Sequence, residues 1–169
     1  RVWDANTGEQ IGKPLQHQGP VRSVEFSHDS TKIVSGSSDK TVRVWDANTG
    51  EQIGKPLQHQ DWVWSVAFNH DSTKIVSGGN DKTVRVWDVN TGEQIGEALQ
   101  HQGPVRSVAF NHDGTKIVSG SEDNMVRVWD ISLERLVGRV CEKLRYHPIL
   151  AEKTDVAREA KQTCKRYFN

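Results

Sequence analysis

The chain has 169 residues, no net charge and a mean hydropathy of -0.68. This length suits one ordinary domain, and no apolar run approaches the roughly 20 residues of a membrane span. Zero net charge also argues against capture of nucleic acid or an anionic membrane by the field of the whole molecule. We therefore expect a globular protein that binds neither nucleic acid nor membrane.

The chain begins with Arg1, inside a repeat unit, and shows no signal peptide, so we interpret it as a piece of a longer protein. Its two cysteines, Cys141 and Cys164, are too few for a disulfide scaffold. We expect reduced thiols and a cytoplasmic location.

An internal repeat organises the first three quarters of the chain. Arg-Val-Trp-Asp occurs at a constant spacing of 42 residues, ending at Asp4, Asp46, Asp88 and Asp130. The first two units between these marks differ at only seven of 42 positions. Such a period is typical of repeat architectures, in which each unit buries its apolar face against the next.

Each unit contains four short segments that resemble strands. In the first complete unit they are Val21–Phe26, Ile33–Ser35, Thr41–Trp45 and Gln52–Leu57, with a tight turn at Asn48-Thr49-Gly50. Pro56 cannot donate to a ladder, so the fourth segment belongs at the sheet edge. Four strands joined by tight turns predict a propeller blade.

Three stretches of this unit resemble the WD-repeat β-propeller family: Leu15-Gln16-His17, Val21 to Asp29 and Val34 to Asp46. The resemblance covers residues 1–130 and implies an all-β fold of about three four-stranded antiparallel blades. The sequence departs from the family at Gln16, where Gly is usual, and at His28, where Pro is usual.

The resemblance also implies one hydrogen-bonded set of four side chains per unit. The sets would be His17, Ser35, Asp39 and Trp45; His59, Ser77, Asp81 and Trp87; and His101, Ser119, Asp123 and Trp129. Trp donates, Asp accepts, and Ser and neutral His do both, so every member can be satisfied inside a blade. An orphaned member would cost about 1–3 kcal/mol, so these residues are expected to be structural.

We expect no catalytic residues, no cofactor and no metal site. Six of the seven histidines occupy two positions that recur in every unit, as do the aspartates near them, whereas a catalytic site is a single constellation. Each turn such as His28-Asp29 offers two metal ligands, where zinc needs three or four. The chain has no phosphate-binding glycine loop, no Gly-x-Ser-x-Gly and no Cys-x-x-Cys.

The units differ mainly in two places: around the start of the first strand, and in the loop after the second strand. The resemblance places both at one end of the blade, around the mouth of the central channel, where partners commonly bind. We call the predicted partner-binding residues the variable rim: Pro20, Arg22, Ser38, Trp62, Trp64, Asn80, Pro104, Arg106 and Glu122.

Alternation along the first strand predicts which side chains share a face. In the first unit it separates Val21, Ser23 and Glu25 from Arg22, Val24 and Phe26. In the second it places Trp62 and Trp64 on one side and Val63 on the other. Tryptophans beside arginines are typical interface anchors, which favours a binding role over the alternative that Trp62 covers a neighbouring blade.

These patterns predict a non-catalytic scaffold that binds protein partners at the propeller mouth. Two alternatives stay open: a sensor of a small ligand or glycan at the same mouth, and a purely structural repeat array without a dedicated ligand.

Residues 131–169 change to a helical period. Apolar residues from Leu133 to Leu144 recur at three- and four-residue spacing, and a second helix is predicted from about Asp155 to Tyr167. We expect a helical hairpin that caps the last blade, with both cysteines inward; metal binding by Cys141, Cys164 and His147 is the less favoured alternative. The tail resembles helical segments that end some bacterial multi-repeat propeller proteins.

The predicted strand count leaves the ring incomplete. Two strands precede the first complete blade, two complete blades follow, and at most three strands come before the tail. Propellers usually need at least four blades, and an open array exposes sheet edges. Either further repeats precede this segment, or identical chains associate; for the isolated chain we predict homo-oligomerisation through complementary strands.

Overall fold

A computed structural model of the chain describes residues 1–132, together with Cys141 and Cys164. The chain divides into two compact units, Arg1–Trp129 and Asp130–Asn169. Within the described residues, 13 strands form four sheets, and the strand order in each sheet follows the chain order. Among the residues that the structure describes, no helix is long and apolar enough to cross a membrane.

The strands follow the 42-residue period. A leading pair comes first, made of β1 (Val2–Trp3) and β2 (Gln10–Ile11). The first blade contains β3 (Val21–Phe26), β4 (Lys32–Ser37), β5 (Thr41–Asp46) and β6 (Gln52–Gln58). The second contains β7 (Val63–Phe68), β8 (Lys74–Gly79), β9 (Thr83–Asp88) and β10 (Leu99–Gln100). The third contains β11 (Val105–Phe110), β12 (Lys116–Ser121) and β13 (Val126–Asp130). The predicted all-β fold of four-stranded blades is confirmed.

The outermost strand is the least regular of each complete blade, as its sequence predicts. Strand β6 contains Pro56, and its register against β5 shifts between Val42 and Val44. Strand β10 is only two residues long, and a single isolated bridge joins Trp87 to Gln94 before it. Because these strands lie at the sheet edge, the missing ladder bonds leave the inner three strands intact.

A β-bulge near the start of each innermost strand overturns the predicted alternation. The register shifts between Val21 and Ser23, and at the equivalent places in the second and third blades. Arg22, Trp64 and Arg106 are the extra residues. The bulge changes the phase, so Val63 is buried in one cluster with Val66 and Phe68. The predicted alternation that separated the equivalent Val21 from Val24 and Phe26 in the first unit is therefore wrong.

Each blade packs on the next through valines that cover a glycine. Val63 and Val66 of the second blade lie on Gly36 of the first, where a Cβ atom would be 2.7 Å from Val63 Cγ1 and 3.0 Å from Val66 Cγ1. Gly78 faces the third blade in the same way, with the nearest Cγ1 atoms at 2.6 and 2.9 Å. Such distances leave no room for a larger residue, so both interfaces require glycine.

Cys141 and Cys164 are buried helical residues joined by a disulfide bond, with their Cα atoms 5.2 Å apart. The expectation of two reduced thiols is therefore wrong, and so is the metal set that needs both thiolates. A count of cysteines cannot show whether two distant ones face each other, because that depends on how their segments pack. The rest of the predicted hairpin, with His147, lies outside the described residues.

Candidate functional site

Each blade brings together one predicted set of His, Ser, Asp and Trp. In the second blade, His59 Nδ1 lies 2.9 Å from Asp81 Oδ2 and His59 Nε2 lies 2.7 Å from Ser77 Oγ. Trp87 Nε1 donates to Ser77 Oγ at 2.8 Å. The equivalent distances are 2.7 to 2.8 Å in the other sets, formed by His17, Ser35, Asp39 and Trp45 and by His101, Ser119, Asp123 and Trp129.

The two ends of a set fix the direction of its hydrogen bonds. An indole N–H only donates, and an ionised carboxylate only accepts. Ser77 therefore accepts from Trp87 and donates to His59 Nε2, while the Nδ1–H of His59 donates to Asp81. The His59 and Asp81 side chains are 0% and 4% exposed. Their polar atoms are hydrogen-bonded within the set, so neither side chain offers a free base to a substrate.

Burial and hydrogen bonding fix the charges of the first set. Burial lowers the pKa of His17, and the hydrogen bond and charge of Asp39 offset this only in part. Burial alone would raise the pKa of Asp39, but hydrogen bonds from Thr41, the Gln18 N–H and His17 outweigh it and hold this pKa well below its usual range. The pair is therefore a neutral imidazole and an ionised carboxylate at neutral pH.

A threonine and an arginine, which the sequence patterns do not predict, complete the first two sets. Thr41 Oγ1 donates to Asp39 Oδ1 at 2.6 Å, and Arg43 Nη2 lies 3.6 Å from Asp39 Oδ2. Thr83 repeats the first contact at 2.8 Å. The third unit has Met125 at this position and lacks the hydroxyl. Recurrence of the threonine at the 42-residue spacing is the signal that could have identified it.

The two variable segments of each unit lie side by side at one end of the blade. Backbone hydrogen bonds of 2.7 to 2.9 Å join them, from the N–H of Ser38, Asn80 and Glu122 to the carbonyl oxygens of Pro20, Trp62 and Pro104. These bonds involve only the main chain. Side chains here can therefore differ between units without a change in the local fold.

The other three residues of the variable rim are the bulge residues, and they stack on one another. Arg22 Cζ lies 4.9 Å from the ring centroid of Trp64, and Arg106 Cζ lies 3.9 Å from it. Strand β7 contacts both β3 and β11, so the indole is held between two guanidinium groups. Each such contact is worth about 0.5–2 kcal/mol. Three neighbouring blades thus contribute to one row.

The two arginines of this row differ in their polar partners. Arg106 donates to Glu122 Oε1 from Nε at 2.8 Å and from Nη2 at 2.5 Å. Arg22 donates from Nε to the neutral Ser38 Oγ at 2.8 Å. In the part of the chain that the structure describes, no carboxylate pairs with Arg22. Its charge is therefore free to meet an acidic group from outside.

Trp62 and Asp61 form the exposed flank of the row. Trp62 is 40% exposed, and its ring meets Trp64 edge-on with the centroids 5.7 Å apart. Asp61, which the predicted rim omits, accepts from Asn80 Nδ2 at 2.6 Å. This bond, together with one from the Trp62 N–H, lowers the pKa of Asp61. Because the other two units have glycine there, the substitution itself was a usable signal.

At the other end of the innermost strands, three turn histidines form a row that the sequence does not predict. The ring centroids of His28 and His70 are 4.1 Å apart, and those of His70 and His112 are 4.9 Å apart. The rings lie beside one another instead of converging on a point. Within residues 1–132 and the two cysteines, no three His, Cys, Asp or Glu side chains are arranged to hold a metal ion.

The repeat length, the blades and the four-residue sets match a known sequence family. The family model described as "WD domain, G-beta repeat" matches residues 8–46, 50–88 and 92–130, which together exceed half of the chain. The chain belongs to the WD-repeat family. Proteins with WD repeats generally act as non-catalytic scaffolds for protein–protein interaction.

Relatives of this WD-repeat chain include proteins of varied roles. It is 51% identical over 45 residues to the Poly(A)+ RNA export protein of Schizosaccharomyces pombe and 44% identical over 43 residues to Apoptotic protease-activating factor 1 of Homo sapiens. It is 40% identical over 42 residues to Eukaryotic translation initiation factor 3 subunit I of Neurospora crassa. Each alignment covers 25% of the chain but only 13%, 3% and 12% of these relatives, about one repeat in length.

Proposed function

We propose that this chain is an interaction scaffold whose variable rim binds an extended segment of a partner protein. The observation that carries the proposal is the row of Arg22, Trp64 and Arg106, one side chain from each of three neighbouring blades. Tryptophan and arginine dominate the energetics of protein interfaces. All three occupy β-bulges, which are common where a strand must redirect a side chain next to a functional site.

The differences between units support a binding role over a purely structural array. Five of the seven differences between the first two units fall in the two variable segments, while every member of the hydrogen-bonded sets is kept. The main-chain bonds that join these segments do not depend on which side chains are present. Tolerance of substitution explains why these positions can vary, and the change to Trp62 and Trp64 adds the aromatic residues that are enriched at interfaces.

The rim also favours a partner with a particular chemistry. A carboxylate placed beside Arg22 would form a charge-assisted hydrogen bond without breaking an internal ion pair. The exposed ring of Trp62 supplies apolar surface next to that position. The partner segment is therefore expected to carry Asp or Glu next to an apolar side chain.

The glycan or small-ligand alternative is less favoured. A sugar or flat ligand needs an open aromatic face, and the Trp64 ring lies between the guanidinium groups of Arg22 and Arg106. Only Trp62 offers an exposed ring in the row. A single exposed indole is a small platform compared with a segment that spans three blades.

A displayed library of random peptides tests the proposal. Peptides selected on the wild-type chain should be rich in Asp or Glu beside apolar residues. Their affinity should fall at least about tenfold with Arg22→Ala or with Trp62→Ala. Trp3→Ala is the matched control, because Trp3 is 55% exposed and lies outside the rim.

Each variant should remain folded, and its melting temperature should fall only modestly, because both rim side chains are exposed and lose only their contacts within the row, about 0.5–2 kcal/mol each. Peptides that bind Arg22→Ala, Trp62→Ala and Trp3→Ala equally well would contradict binding at the rim. Selection of glycans from an array, with no peptides enriched, would instead support the alternative.

A further inference from the structure

The first blade exposes a surface that the second blade buries. Val21, Val24 and Phe26 of β3 are 46%, 64% and 53% exposed. Their equivalents in β7 are only 0%, 5% and 8% exposed, because the first blade covers them: Val63, Val66 and Phe68. We call Val21, Val24 and Phe26 the leading face.

The third blade exposes the complementary surface. Val118, Val126 and Val128 are 40%, 73% and 67% exposed, whereas the equivalent valines of the second blade, Val76, Val84 and Val86, are 0%, 0% and 5% exposed. At Gly120 a Cβ atom would meet nothing within 4 Å, although the equivalent glycines of the first two blades are tightly covered. We call Val118, Gly120, Val126 and Val128 the trailing face.

We propose that the trailing face of one chain binds the leading face of a second copy, in the register that joins blades within the chain. Gly120 would then receive Val21 and Val24 of the other copy, as Gly36 receives Val63 and Val66. The chain forms this interface twice internally, so both surfaces are already shaped for each other. This inference concerns the ends of the array and does not depend on the variable rim.

The hydrogen bonds across the internal interfaces have an equivalent donor and acceptor at the proposed interface. The N–H of Val66 donates to Ser23 Oγ at 3.2 Å, and the N–H of Val108 donates to Ser65 Oγ at 3.2 Å. The next serine in this series is Ser107, on β11, and the equivalent donor of a second copy is the N–H of Val24. The proposed interface therefore repeats a polar bond as well as apolar packing.

The strand count fits the same arrangement. Strand β1 has the sequence Val-Trp, which recurs in β13 as Val128-Trp129, and it pairs with β2 through Val2 and Ile11 as Val44 pairs with Ile53 in the first blade. On docking, β13 of one copy would replace β1 of the other, and β2 would become the missing fourth strand of the third blade. The loss is small because β1 has only two residues.

Replacement of β1 by β13 would also put a hydrogen-bonded tryptophan, Trp129, in the place of the exposed Trp3. Trp3 is 55% exposed, whereas Trp129 of the incoming strand already donates to Ser119 Oγ at 2.7 Å. The association is head-to-tail, so it closes into a ring if the rotation between copies allows and otherwise continues as a filament.

Sedimentation velocity over about a hundredfold range of concentration tests the proposal. The wild-type chain should sediment as a multiple of its 19.0 kDa mass. Gly120→Val should remain folded, because its new atoms meet open space and valine favours strands, yet it should raise the dissociation constant at least about a hundredfold. Val24→Glu should do the same from the leading face.

Mixing the two variants provides the decisive measurement. Each variant has one intact face, so the mixture should form a heterodimer of twice the chain mass, while each variant alone stays at 19.0 kDa. Gly78→Val is the contrasting control, since it clashes inside the array and should lower the melting temperature. A wild-type mass of one chain at every concentration would overturn the proposal and assign the faces to another occupant, such as further repeats. Variants that associate like the wild type, or a mixture that stays monomeric, would overturn it as well.

Discussion

Replacement of Ser77 by alanine tests how much one hydrogen-bonded set contributes to stability. Ser77 is fully buried, and its hydroxyl both accepts from Trp87 and donates to His59. The Ser77→Ala substitution leaves one donor and one acceptor without partners, at about 1–3 kcal/mol each. We therefore expect the free energy of unfolding to fall by about 2–6 kcal/mol, a large part of the roughly 5–15 kcal/mol of a typical domain.

Unfolding in guanidinium chloride, monitored by tryptophan fluorescence, measures this loss. An unchanged dependence of the unfolding free energy on denaturant concentration would show that only stability has changed. Ser119→Ala is the matched control. In that set Trp129 is only half-buried, so water can replace the hydroxyl at the indole and the loss should be smaller. A loss below about 0.5 kcal/mol for Ser77→Ala, or a larger loss for Ser119→Ala, would refute the reasoning.

Two further predictions concern single positions of the sets. Met125→Thr gives the third unit the hydroxyl that in the second unit donates from Thr83 to Asp81 at 2.8 Å. It should raise the free energy of unfolding by about 0.5–1.5 kcal/mol in the same denaturant experiment. An unchanged midpoint of unfolding would contradict a stabilising contribution of this hydroxyl. Because burial lowers the pKa of His17 from 6.5, the unfolded chain binds this proton first, and stability should fall as the pH drops below that value. Unfolding at about pH 7.5 and about pH 5.5 measures the loss of free energy, which His17→Gln should reduce. An equal loss between these two pH values in both proteins would contradict the role of His17.

The sequence predicts the blades well because their pattern is local and repeated. Alternating apolar residues, turn residues and the 42-residue period all indicate the same strands, and Pro56 indicates which strand lies at the edge. The variable rim was predicted from the places where the units disagree. Its role in binding stays a prediction, but its residues do share one end of the blades.

The failures have a common physical cause. The bulge at Arg22 adds one residue to a strand whose composition is that of regular alternation, so only the register against β4 reveals it. The row of His28, His70 and His112 and the disulfide of Cys141 with Cys164 depend on packing between distant segments. Neither propensity nor spacing along the chain contains that information.

The hydrogen bond from the Val66 N–H to Ser23 Oγ links neighbouring units, and its equivalent from Val108 to Ser65 does the same. Packing likewise joins the first blade to the second and the second to the third. Duplication or loss of a whole unit would therefore add or remove one blade together with one interface of the existing kind, and no new type of contact would be needed. Array length can thus change in single genetic steps and, under the proposed binding at the rim, a newly copied blade would need substitutions only at its rim to acquire a new specificity.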